Sequence, residues 1–223
     1  MSAHQHGQDG HDISLADMFT ETFWDERYAS STRIWSGKPN VRLVEQVAPL
    51  TVPAGGTALD VGCGEGADVV WLAQQGWQVT GVDVSGVALE RAEQHAVDAG
   101  VGERTSWVRA DLYAGDPLPT GNQLVTSSFM HVPPESFERV YKAVADAVGP
   151  GGTLVVLAHH PADAHLGIRN PELNALLFAP DAVVDLLDPA EWDVHPSEPT
   201  REMEHDGRTL TLTETVVRAV RRG

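Results

Sequence analysis

Cysteine is almost missing from this chain: one in 223 residues, at position 63. An internal disulfide is therefore impossible, and a reducing, cytoplasmic setting is the expected one. Long apolar runs are missing as well. None approaches the ~20 residues of a membrane span, and the N-terminus is polar and His-rich, unlike a signal peptide. Positive charge is scarce: 15 Lys and Arg stand against 32 Asp and Glu, a formal net charge of −17. Affinity for phosphate comes largely from Lys and Arg, so nucleic acid is not the expected partner. An acidic surface suits a chain that handles small molecules. No internal repeat, second domain or convincing metal cluster is legible, and oligomeric state cannot be read. Residues 1–12 carry few apolar groups and read as a disordered tail, with His4, His6 and His11 solvated. Residues 13–223 read as one domain, a size that allows a substantial core.

What is present is organised around residues 57–66. Ala58, Leu59 and Val61 read as a buried parallel strand. It runs into Gly62-Cys63-Gly64-Glu65-Gly66, and a helical pattern follows at once (Val69, Val70, Leu72, Ala73). A strand, a turn without Cβ atoms and a helix N-terminus let a ligand lie directly against backbone N–H groups. Asp60 adds a carboxylate beneath the turn. Cys63 reads as a small residue that fits it. The second strand, from Trp77, ends at Asp83, about 20 residues past Gly62, where an acidic residue meets ribose hydroxyls in open α/β sheets. Val84 follows it, and Ser85 caps the next helix, about 86–99. The third strand, from Thr105, ends in Ala110-Asp111-Leu112. Three successive strands thus end in Asp at the side where such sheets bind ligands.

The form Asp60-Val-Gly62-Cys-Gly64-Glu-Gly66 resembles motif I of the class I S-adenosylmethionine-dependent methyltransferases, and differs from the G-x-G-x-x-G of dinucleotide-binding proteins. The resemblance implies a Rossmann-like α/β fold: a seven-stranded, mostly parallel sheet, last strand antiparallel, with helices on both faces. It implies S-adenosylmethionine as cofactor and S-adenosylhomocysteine as product. Asp60, Gly62, Cys63, Gly64 and Gly66 would surround the methionine part, Asp83 the ribose, Val84 the adenine face, and Asp111 with Leu112 the adenine amino edge. Upstream, Trp24-Asp-Glu-Arg27-Tyr28 and Trp35-Ser-Gly-Lys38-Pro39-Asn40 are similar to segments of small bacterial methyltransferases related to the thiopurine and tellurite-resistance enzymes. There the segment closes over the pocket. Residues 13–40 are accordingly expected to form a lid: either it brings Tyr28 and Trp35 to the cofactor, with Arg33 or Lys38 near its carboxylate, or Trp24 and Trp35 only anchor it to the domain with the cations solvated.

The fourth strand exits through Ser128-Phe129-Met130-His131. The Asn/Asp-Pro-Pro-Tyr/Phe of base-methylating enzymes and their Pro-Cys nucleophile are not there. Phe129 is expected on the cofactor wall, and His131 is the candidate catalytic base on the acceptor side, or else a backbone-satisfied histidine that only shapes the pocket. His159 and His160, at the end of the fifth strand, form a weaker pair, of which at most one reaches the pocket because adjacent strand residues point oppositely. The expected chemistry is in-line methyl transfer to a small acceptor, possible at a thiol or other soft nucleophile without a strong base. A sensor that binds the cofactor or its product without turnover is the alternative.

Overall fold

The computed structural model describes residues 17–223. The expected tail at 1–12, its histidines and the start of the lid expected at 13–40 lie outside the described residues. Five strands lie parallel because helical crossovers join most of them: β1 (Thr57–Val61), β2 (Gln78–Asp83), β3 (Thr105–Arg109), β4 (Asn122–Ser128) and β5 (Val148–His159). The chain then closes with β6 (Trp192–Ser197), β7 (Thr200–His205) and β8 (Arg208–Arg221). The order across the sheet is β3-β2-β1-β4-β5-β8-β6, and β7 pairs with β8 off this path. The main path has the expected seven strands, with β8 antiparallel to both β5 and β6. The eighth strand is a difference from expectation. Thr200–His205 forms the extra strand β7, because β8 runs on past β5: Arg208–Thr213 pairs with β7, Glu214–Val220 with β5.

Side chains alternate between two cores, as a period of two requires. Leu59, Val125, Leu154 and Val156 face one layer with α5 (Phe137–Asp146) and α6 (Asp181–Val184). Ala58, Leu124, Val155 and Leu157 face the other, with α2 (Val41–Val47), α3 (Ala67–Gln74) and α4 (Gly86–Asp98). Ser85 caps α4 by accepting from the Ala88 N–H at 3.1 Å, and Asn40 caps α2 from the Arg42 N–H at 2.9 Å. An N-terminal helix, α1 (Glu21–Ala29), packs against α4.

Because β1 has β2 on one side and β4 on the other, the connections diverge at this point. A crevice opens there outside the carboxyl ends of the strands. The glycine turn leaves β1, and Phe129–His131 leaves β4, so the topology brings the two stretches singled out in the sequence to the same opening.

Candidate active site

The glycine turn takes its shape from residues with no Cβ. Gly62, Gly64 and Gly66 have φ of 75°, 52° and 79°, a region costly for other residues. A Cβ on Gly64 would stand 2.9 Å from the Tyr28 hydroxyl, and one on Gly66 2.8 Å from Ala92. The Gly62 and Cys63 N–H groups donate to the Val82 carbonyl at 2.8 and 3.0 Å, and the Gly64 N–H donates to Asp83 Oδ2 at 2.8 Å. The Ser85 N–H donates to Asp83 Oδ1 at 3.0 Å. Each Asp83 oxygen thus takes one backbone donor, and a carboxylate has lone pairs left for two hydroxyls.

Three carboxyls surround this turn. Asp60 accepts from the Thr126 hydroxyl at 2.6 Å and Asp68 from the Asn40 N–H at 2.7 Å. All three, Asp60, Asp68 and Asp83, are pushed above the usual carboxylate range, in each case chiefly by burial. For Asp60 the Asp68 charge adds to it. None of the three pairs with Arg or Lys among the described residues. A buried acidic wall whose carboxyls have no ion-pair partner, set around a Cβ-free turn, fits a ligand group that is itself cationic. The same burial raises the Cys63 thiol well above its ordinary value, so it stays protonated and is no nucleophile.

The N-terminal segment lies across the turn, held by side-chain carboxylates on backbone and hydroxyl donors. Glu65 Oε2 accepts from the Ile34 and Trp35 N–H groups at 3.1 and 3.2 Å, and Glu65 Oε1 pairs with Arg91 at 3.1 Å. Asp25 accepts from the Ser85 hydroxyl at 2.6 Å and from the Val87 N–H at 3.2 Å. Beneath, Trp35 Nε1 donates to the buried Tyr28 hydroxyl at 3.0 Å. Burial first, then Asp83, pushes the Tyr28 phenol up, so it remains neutral.

A cavity of about 690 Å³ runs between this segment, the turn and the ends of β4 and β5, a size usual for cofactor sites. Tyr28, Trp35, Asp60, Gly62, Cys63, Gly64, Asp83, Val84, Leu112, Phe129 and His131 all line it. Gly66 does not line it; it serves the packing of α3 on α4. Asp111 does not line it either, although Ala110 and Leu112 do. Its Oδ1 accepts from the Tyr113 and Ala114 N–H groups at 2.8 and 3.0 Å and so caps the following turn. Arg33 and Lys38 are on the wall, as are two residues of the closing strands, Arg201 and Glu214.

At the far end stand Phe129, His131 and His159. Phe129 is held at φ 55°, a conformation uncommon for a bulky residue, and its ring lies 4.5 Å from that of His159. The His131 and His159 rings are 6.2 Å apart. Both imidazoles are less basic than usual, mainly through burial and then through Arg169. For His159 the value falls to about 3. His160 turns away, its Nδ1 accepting from the Ala162 N–H at 3.1 Å. Four functional candidates were not legible beforehand: Glu65, Asp68, Arg169 and Arg201. Glu65 and Asp68 carried one signal, acidic residues inside and just after a glycine turn; the two arginines carried none.

Fold and site together define a doubly wound α/β protein with a ligand crevice at its strand ends. Comparison with known proteins makes this specific. Residues 58–152 match the family model described as a methyltransferase domain. The ubiquinone biosynthesis O-methyltransferase of Marinobacter nauticus is 30% identical over 197 residues, covering 80% of this chain and 78% of that protein. The 2-heptyl-1-hydroxyquinolin-4(1H)-one methyltransferase of Mycobacteroides abscessus is 27% identical over 175 residues, covering 74% and 76%. Among solved structures, the one described as "Conversion of a Disulfide Bond into a Thioacetal Group during Echinomycin Biosynthesis" superposes with a TM-score of 0.68, 22% identity and 92% coverage of both chains. TehB from Haemophilus influenzae superposes at 0.66 with 17% identity, covering 91% of this chain and 67% of that one. The chain belongs to the class I S-adenosylmethionine-dependent methyltransferases. Its cofactor is S-adenosylmethionine, and its relatives act on small molecules. Among the described residues no helix is long and apolar enough to cross a membrane.

Proposed function

We propose that this enzyme methylates a small acceptor whose nucleophile is soft or already ionised, such as a thiolate. The observation that carries the reading is the chemistry at the far end of the cavity. His131 and His159 are both held weakly basic by burial and by neighbouring cations. A weakly basic imidazole takes a proton poorly from a hydroxyl. The same cations favour an acceptor that arrives as an anion.

When bound, S-adenosylmethionine supplies an electrophilic methyl group on a sulfonium, open to in-line displacement. The chain's own part is alignment and exclusion of water. Asp83 would hold the ribose hydroxyls, and Asp60 with Asp68 would face the ammonium of the methionine part. Leu112 and Val84 would flank the adenine, while Asp111 would act there only through the turn it caps. Residues 17–40 would serve as the lid, with Tyr28 and Trp35 over Gly64. Phe129 and His131 would form the acceptor wall, and His131 would be a wall residue rather than an obligatory base.

The test is formation of S-adenosylhomocysteine and of methylated product, by mass spectrometry, with thiols, selenite, tellurite, catechols and simple amines. Products methylated on sulfur or another chalcogen are expected. Products methylated only on oxygen would overturn the reading, and product binding without any turnover would point to a sensor.

A further inference from the structure

His159 sits at the end of β5, opposite Glu214 of β8, with its ring on the cavity wall. Its Nδ1 lies 3.0 Å from a terminal nitrogen of Arg169. A guanidinium has donors only. The Nδ1 atom must therefore accept, and in the neutral ring the proton is then on Nε2. Protonating Nδ1 would set N–H against N–H, and burial, Arg169, His131 and Arg201 all work against a charged ring. His159 therefore cannot serve as a base through Nε2, which already carries hydrogen.

Arg169 is half-buried and makes no ion pair among the described residues. Burial disfavours its charge and Asp163 favours it. Asp163 is 3% exposed. One of its oxygens accepts from the Thr213 N–H at 2.9 Å, and the other is buried without a hydrogen-bond partner. The outer nitrogen of Arg169 that does not reach His159 is likewise buried without one. The charged and titratable groups around the ring are His131 from the β4 exit, Arg169 from the segment after β5, Arg201 from β7 and Glu214 from β8. Glu214 is already shared between Arg42 and Arg201, at 2.8 Å to each, which leaves its charge spoken for.

We infer that His159 is a fixed Nε2–H donor that binds an anionic atom of the methyl acceptor, and that Arg169 is the positioning residue that fixes it. The inference rests on the proposed function and deepens it by naming what recognises the acceptor: a neutral donor backed by cations, matched to a thiolate or comparable soft anion. No proton is moved by His159. Its hydrogen bond selects the ionised acceptor and orients it.

Long-range 1H–15N spectra of the imidazoles test the positioning directly, with the His159 signals assigned by their loss in His159→Phe. In the wild type the ring is expected to be the Nε2–H tautomer and not to titrate between pH 5 and 9. In Arg169→Met it should titrate or show both tautomers, and in Arg169→Lys, which keeps a donor, the wild-type pattern should return. An Nδ1–H tautomer in the wild type, or an ordinary titration there, overturns the claim. Recognition is tested by binding of thiophenolate and of its uncharged methylated counterpart, thioanisole, to the S-adenosylhomocysteine complex. The wild type should prefer the anion by about 10-fold or more, as a hydrogen bond to a charged group implies. His159→Phe should lose that preference and His159→Gln should keep most of it. Equal affinities in the wild type, including no binding of either, overturn it. Failure to bind S-adenosylhomocysteine would instead strike the proposed function and leave the tautomer result standing.

Discussion

Replacing Glu65 by Ala removes the hinge point between the glycine turn and the N-terminal segment. Two backbone donors, Ile34 and Trp35, lose a charged acceptor, and Arg91 loses its partner. A hydrogen bond to a charged group contributes about 1.5–3 kcal/mol. Trp35 is 47% exposed, so water can replace part of what is lost, and about 1–2 kcal/mol of docking free energy is the expected net change. If docking of the segment is coupled to cofactor binding, that corresponds to an affinity for S-adenosylhomocysteine weaker by about 5–30-fold. Global stability should fall as well, because the largely buried Arg91 is left without its partner. Calorimetric titration measures the affinity, and hydrogen exchange over residues 28–40 measures the docking. Glu65→Gln, which keeps one acceptor oxygen but not the Arg91 ion pair, should fall between. An affinity within twofold of the wild type, with unchanged exchange at residues 33–36, would refute the coupling.

Other outcomes follow from the carboxyls. Asp83→Ala strips the Gly64 and Ser85 N–H groups of their acceptor and removes the proposed ribose ligand. The Kd for S-adenosylhomocysteine should rise by about 100-fold or more, and a rise below threefold in titration would contradict the assignment. Asp60, buried beside Asp68, has its folded-state pKa above the ordinary carboxylate value. Between those two values the folded chain binds more protons than the unfolded one, so its contribution favours folding at low pH and is lost as pH rises through the folded value. Asp60→Asn, without bound ligand, should therefore lose less thermal stability than the wild type between pH 5.5 and 8, with a Tm about 2–4 °C higher at the upper end. The same variant should bind the cofactor more weakly. Parallel melting curves for both proteins would contradict the account. Gly64→Ala should abolish cofactor binding, since its Cβ would meet the Tyr28 hydroxyl at 2.9 Å in a left-handed backbone, and wild-type affinity in that variant would show that the turn is not the cradle.

The sheet and the cofactor end were legible because their signals are local. Three glycines within five residues, an apolar strand before them and an Asp at the next strand end all act over a few bonds. Asp111 shows where such a signal divides. An Asp at a strand end can face a ligand or cap its own turn, and here its Oδ1 goes to the N–H groups two and three residues on. The strand β7 was not legible because Arg201, Glu202 and Glu204 are polar, and only the overlong β8 gives them a partner. The acceptor end was least legible. Asp163, Arg169 and Arg201 have no motif spacing to one another or to His159; tertiary structure alone assembles them. Glu65 likewise acts on residues 30 and 31 positions away. His131 stood out in the sequence as a base, whereas its burial beside Arg169 makes it a weak one.

The central claim is that the acceptor arrives ionised and that the protein supplies alignment rather than a base. The most direct measurement is the pH dependence of kcat/KM across a series of aryl thiols of differing acidity, for the wild type and His131→Ala. The account predicts a rising limb that moves with each thiol's own pKa and survives the substitution. A limb fixed at one pH for every acceptor, and lost in His131→Ala, would contradict it and make His131 the base.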